Sequence, residues 1–159
     1  MNGTVTAPRE ALVRWGALLL PYIEQTAQYN LWDIKYPASK QPAAAYQNFV
    51  KIYQCPSRPP HVLSVNDFAA PGGSLTDYAA SFGTAANYTS SNGAVIPALP
   101  TMGVDAAGEP ILIRWTAQGT LVTITDGTSN TTLFGEKHIR PNSLRGKNED
   151  RSVFGGQNN

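Results

Sequence analysis

Few side chains in this sequence could do chemistry. They are two histidines, His61 and His138, one cysteine, Cys55, and the carboxylates Glu24, Asp33, Asp77, Asp126 and Glu136. A hydrolytic triad can occur in any chain order, so Ser57 or Ser129 with either histidine supplies the required types. No Gly-x-Ser-x-Gly elbow frames either serine, however, and both histidines read as surface residues. Cys55 precedes His61 by a short proline-rich stretch. That pairing would suit a thiol nucleophile, but a cysteine beside Pro56 is read here as packing. One cysteine and two histidines are too few for a zinc site. Phosphate-loop and dinucleotide fingerprints are absent, and no spacing selects two carboxylates for glycoside hydrolysis. The expectation is a protein that is not an enzyme.

The densest group of oxygens is Thr125-Asp126-Gly127-Thr128-Ser129-Asn130-Thr131. Asp126, Thr128 and Asn130 alternate as at the start of a calcium loop. The distal glutamate of an EF-hand would fall near Lys137, so that motif is rejected. Two readings stay open. The preferred one is a structural turn, in which Asp126 and Asn130 bond nearby backbone and Gly127 supplies φ > 0. The other is a simple oxygen-ligand site at Asp126, Thr128 and Asn130, with calcium as the cation. No other cofactor is expected. A stacking site for carbohydrate or another solute would draw on Trp32, Tyr36 and Trp115, with Trp15 and Tyr88 as further aromatics. Asn87-Tyr88-Thr89 and Asn130-Thr131-Thr132 match the glycosylation acceptor pattern.

Elements to position these residues follow from periodicity. Leu12, Trp15, Leu19, Tyr22, Ile23 and Thr26 fall on one face at helical spacing, which predicts a helix from Ala11 to Asn30. Pro21 lacks the N–H and crowds the preceding turn, so the helix is expected to kink or break there. A short helix is expected from Ala43 to Val50. Alternation predicts strands at Lys51–Cys55, Thr76–Phe82 and Thr131–Lys137, and β-branched content predicts one at Ile111–Thr116. Gly83 to Asp105 reads as a surface excursion with a short strand at Gly93–Ile96. Thr120 is placed to cap one helical turn, Leu121–Ile124. The sum is an α+β fold, its N-terminal helix packed on a small, mainly antiparallel sheet with long loops.

The bulk numbers bound the function. A chain of 159 residues fits one domain. Charged residues are 14%, against about a quarter in an ordinary domain. Thr, Ser, Asn and Gln supply 42 residues in their place, which suits an exported or surface protein. A net charge of +1 argues against a nucleic-acid partner. The most basic stretch, His138 to Arg151 with Arg140, Arg145 and Lys147, is interrupted by Glu149 and Asp150 and reads as a solvated loop. No run of about twenty apolar residues occurs, so no membrane span is expected.

Four segments in order carry a resemblance: Leu18-Leu19-Leu20-Pro21-Tyr22-Ile23-Glu24-Gln25, Tyr53-Gln54-Cys55-Pro56-Ser57, Thr76-Asp77-Tyr78-Ala79, and Ile124 to Thr131 with Gly135-Glu136. Together they resemble the prepilin-like domain-of-unknown-function family abundant in planctomycetes. The resemblance implies a pseudopilin-like protein of the type II secretion or type IV pilus class. It implies an N-terminal cleavage and methylation signal with an apolar helix, and a C-terminal tail with His and Asp-Gly. On that reading residues 1–159 are a single pilin-head-like domain without either extension. Its partners would be other pilin-like subunits or secretion and surface proteins, and its place extracytoplasmic. The family transfers no catalytic residue. A cysteine in the missing tail would account for the lone Cys55.

Overall fold

The computed structural model describes residues 13–58, 62–65, 72–84, 91–144, 146–147 and 150–155. Ala11, Leu12, His61, Asn87 to Thr89, Arg145 and Glu149, named above, lie outside these residues.

The N-terminal segment is helical but does not run as one helix. It is divided into α1 (Trp15–Leu18), a tight three-residue-per-turn stretch at Leu20–Ile23, and α2 (Thr26–Tyr29). The break falls where Pro21 predicts it. Pro21 occupies the first turn of the tight stretch, where its missing N–H costs nothing. Glu24 then takes a left-handed conformation, φ 61°, ending that stretch before α2. The buried face also differs from the expected stripe. Val13, Ala17 and Leu20 are inside, while Tyr22 is 84% exposed. Trp15 and Leu19 of that stripe are only half-buried, so the offset already exists before Pro21.

α3 (Ala43–Gln47) forms as expected, shorter at its C-terminal end. The strand expected at Lys51–Cys55 is instead a single helical turn, Lys51–Tyr53, closed by Tyr53 N–H donating to Val50 O at 3.0 Å. Val50 and Tyr53 are buried three residues apart and Ile52 is exposed. The buried pair follows the period of the turn, not the alternation of a strand.

The described strands make two separate antiparallel pairs. The first joins β1 (Tyr78–Ala80) to β4 (Phe134–Glu136), with Ala79 opposite Gly135. The second joins β2 (Leu99–Val104) to β3 (Pro110–Thr116) as a hairpin. β2 lies inside the stretch read as an irregular excursion, and no strand forms at Gly93–Ile96. A register shift at Thr101/Met102 leaves Ile113 as the extra residue of a bulge. The fold is mixed α+β, as expected, but its sheet is two small pairs and not one.

The core belongs to the helical half. Val13, Ala17, Leu20, Trp32, Ala38, Ala45, Tyr46, Val50 and Tyr53 cluster around Val153 and Phe154. Phe154 is fully buried, its ring 5.4 Å from that of Trp32. The C-terminal segment is held there by a bridge between Ser152 and Leu75, and by Val153 N–H donating to Ser74 O at 3.1 Å. Asp150, expected in a solvated loop, is buried. It pairs with Lys137 Nζ at 3.2 Å and accepts the Gly146 N–H at 3.0 Å.

Candidate functional site

Two of the segments that carry the resemblance, at 53–57 and 76–79, bond directly to one another. Tyr53 O accepts the Asp77 N–H at 2.9 Å and the Thr76 hydroxyl at 3.0 Å. Asp77 Oδ2 accepts the Cys55 N–H at 2.7 Å, and its Oδ1 pairs with Arg58 at 3.2 Å. Asp77 O takes the Lys137 N–H at 2.8 Å, and Arg58 donates to Lys137 O at 2.6 Å. The Tyr53 hydroxyl reaches back to Gly16 O at 2.7 Å, and burial pushes this phenol up to about 12. Asp77 is therefore a tie between the Cys55 turn, β1 and the end of β4, with its carboxylate committed to structure. Cys55 is half-buried with its thiol free.

The fourth segment leads into β4 and forms one wall of a groove of about 500 Å³. Thr120 N–H donates to Thr123 Oγ1 at 3.1 Å, and that hydroxyl donates to Thr120 O at 2.7 Å, so the turn expected at Leu121–Ile124 forms, over Leu121–Thr123, and closes on itself. Gly127, φ 84°, makes the next bend. Asn130 Nδ2 donates to Asp126 O at 3.3 Å and Thr131 Oγ1 to Gly127 O at 3.0 Å. The pins of this block are Asn130 and Thr131, acting on backbone carbonyls. Asp126 takes part through its carbonyl, and its exposed carboxylate lies on the groove wall.

The opposite wall is residues 92–96. Gly93 N–H donates to Phe82 O and Val95 N–H to Ser81 O, both at 2.9 Å. The two chains are so close that a Cβ on Gly93 would stand 2.1 Å from Ser81 O. Next to the lining, Gln118 donates to Pro97 O at 2.6 Å. The lining mixes Ile96, Leu121 and Ile124 with Thr120, Thr125 and Asp126. In the sequence this wall read only as the short strand expected at Gly93–Ile96, with no sign of a site.

The sequence-derived candidates are distributed as follows. Asp126, Thr128 and Asn130 share one exposed turn, with the Asn130 amide nitrogen directed at the Asp126 carbonyl. Among the described residues no group of three His, Cys, Asp or Glu is arranged to hold a metal. The aromatic trio is not brought together. Trp32 is buried against Phe154, so its faces are not offered to a ligand. Tyr36 donates to Asp105 Oδ2 at 2.9 Å at the closed end of the hairpin, while Trp115 pairs with Pro100 toward the open end. Five residues of strand separate those points, roughly 16 Å. Asp105 Oδ1 also accepts the Ala107 and Glu109 N–H groups at 2.9 Å. The backbone bond from Glu109, followed by the Tyr36 hydroxyl, holds the Asp105 carboxyl below its usual range, and the same carboxylate raises Tyr36.

The hairpin carries a feature that the sequence reading missed. Its closed half is docked, with Leu112 buried and its N–H donating to Lys35 O at 2.8 Å. Its open half presents Ile113 through Thr116 exposed in succession, so both faces of β3 are in solvent there. Ile113 is 60% exposed and Trp115 and Leu99 41% each; in the next turn Leu121 and Val122 reach 69% and 91%.

A family model described as "Protein of unknown function (DUF1559)" matches residues 1–158. Comparison with curated proteins gave no match, and comparison with solved structures gave none.

Proposed function

The chain belongs to the DUF1559 family, and we propose that it is the extracytoplasmic head of a pseudopilin-like subunit, acting by protein contact and not by catalysis. The observation that carries this reading is the open half of the β2–β3 hairpin. Isolated apolar residues on a surface need no explanation, but consecutive exposed positions on both faces of a strand, including Ile113 and Trp115, suit a segment completed by a partner. The commitment of Asp77 to backbone ties also supports architecture over chemistry. Co-fractionation tests the reading. The native protein is expected in the envelope fraction and with fibres sheared from the producing cells. Trp115→Ser is expected to reduce that recovery with an unchanged melting temperature. Recovery confined to the cytosol overturns it.

A second reading, an extracellular solute- or carbohydrate-binding module, is supported by the groove and not by the aromatics. Its lining of hydroxyls with one carboxylate suits a neutral polar ligand. Thermal-shift titration with a panel of soluble oligosaccharides tests it, and no shift with any of them sets it aside.

A further inference from the structure

We propose that the outer edge of β4 is a self-association surface, on which β4 of a second copy pairs antiparallel to make a continuous four-stranded sheet. Lys137 N–H donates to Asp77 O and Ser81 N–H to Leu133 O, both at 2.8 Å, with Ala79 opposite Gly135 between them. Residues 133, 135 and 137 therefore face β1. In an antiparallel ladder the alternate residues turn their N–H and C=O groups the other way, so those of Phe134 and Glu136 point outward. No described residue pairs with them. All three residues of β4 are exposed.

Natural sheet edges are blunted by very short strands, charged side chains, proline, bulges or a covering element. Here the strand is three residues long and its one charge is Glu136, while the stretch Thr132-Leu133-Phe134-Gly135-Glu136 has no proline and no lysine. The adjacent Lys137 does not serve, because its amine is turned inward onto buried Asp150 at 3.2 Å. A two-stranded sheet is marginal by itself, and pairing across this edge would give it four strands.

The sequence of the edge specifies the occupant. With the two-fold axis at Gly135, Gly135 meets the partner's Gly135 at the close, non-hydrogen-bonded position, about 4.5 Å between Cα atoms. A Cβ on Gly135 would have nothing within 4 Å in the monomer. Phe134 then exchanges both backbone bonds with the partner's Glu136, and the symmetric pair does the same. Centring on Glu136 would instead oppose two carboxylates. Centring on Phe134 would recruit Thr132, which lies before the strand begins. The same patch on both copies is what a closed dimer requires. The inference stands on strand geometry and does not depend on where in the cell the chain resides.

Sedimentation velocity over a concentration series on the unmodified chain tests for the dimer. Cysteine pairing on a Cys55→Ser background tests the register. Gly135→Cys is expected to form a disulfide-linked dimer on mild oxidation, since the separation suits a disulfide. Leu133→Cys, whose mate would lie roughly 13 Å away, is expected to stay monomeric. Glu136→Pro removes an outward N–H and leaves the β1 ladder intact, so it is expected to weaken association about tenfold or more while circular dichroism stays unchanged. A chain that remains monomeric throughout overturns the proposal, as does equal cross-linking at 133 and 135, or full dimerisation of Glu136→Pro. A monomer that still co-fractionates with fibres refutes this pairing alone. A dimer confined to the cytosol refutes only the extracytoplasmic reading.

Discussion

Asp77→Ala is expected to be among the most costly single carboxylate truncations in the chain. The Asp77 side chain is 14% exposed and its Arg58 partner 25%. The substitution deletes the acceptor of the Cys55 N–H, a 2.7 Å bond. A hydrogen bond to a charged group is worth about 1.5–3 kcal/mol. The ion pair adds less than about 1 kcal/mol, because Arg58 keeps partial access to water and its bond to Lys137 O. The expected loss is about 2–3 kcal/mol, equivalent to roughly 5–10 °C in melting temperature for a chain of this size. Asp77→Asn keeps an acceptor for Cys55 and loses the charge, so about 1 kcal/mol is expected. Asp126→Ala is the matched control. The carboxylate of Asp126 is exposed and its turn is held by Asn130 and Thr131, so a change within about 0.5 kcal/mol is expected. Urea unfolding followed by tryptophan fluorescence, with the slope checked for constancy, gives all three values. Equal losses for Asp77→Ala and Asp126→Ala would refute the assignment of the tie to Asp77.

Other outcomes are expected from the core and the hairpin. Tyr53 titrates near 12 when folded and about 10 when unfolded. The folded state holds the proton longer, so stability falls as pH rises from about 10 to about 12; Tyr53→Phe should reduce that dependence in an alkaline unfolding series and cost about 1–2 kcal/mol at neutral pH by orphaning Gly16 O. Gly16→Ala should destabilise despite a helix-propensity gain of about 1 kcal/mol, because the new Cβ meets Val153 Cγ2 at 2.3 Å. Val153→Ala in the same chain should recover part of the loss, and additive losses in the double-mutant cycle would contradict this contact. Tyr36→Phe should raise the Asp105 titration toward the ordinary carboxylate range, read by NMR, since the phenol is among the donors that lower it.

Much of the local structure was legible because it depends on residues close in sequence. The break at Pro21, the short helix after Pro42, the closed turn at Thr120–Thr123 and the bend at Gly127 each follow from one proline, threonine or glycine and its neighbours. The mixed α+β class followed from the same signals. Lys51–Cys55 was misread because five residues of alternating type satisfy a strand, while burial of Val50 and Tyr53 satisfies one helical turn. Periodicity over so short a window does not separate them.

What the sequence alone determined is several of the turns and the mixed α+β class, together with the scarcity of groups able to do chemistry. Which contacts the elements make was decided by tertiary structure. Phe154 became the centre of the core from a stretch that shows no period. Trp32 was withdrawn from any ligand surface by the same packing, and Asp77, one carboxylate among several in the sequence, became the tie between three segments. The Thr125–Thr131 block kept its role as a turn, but its pins moved to Asn130 and Thr131. A turn answers to backbone sterics over a few residues, whereas burial and pairing depend on which distant segments exclude water together.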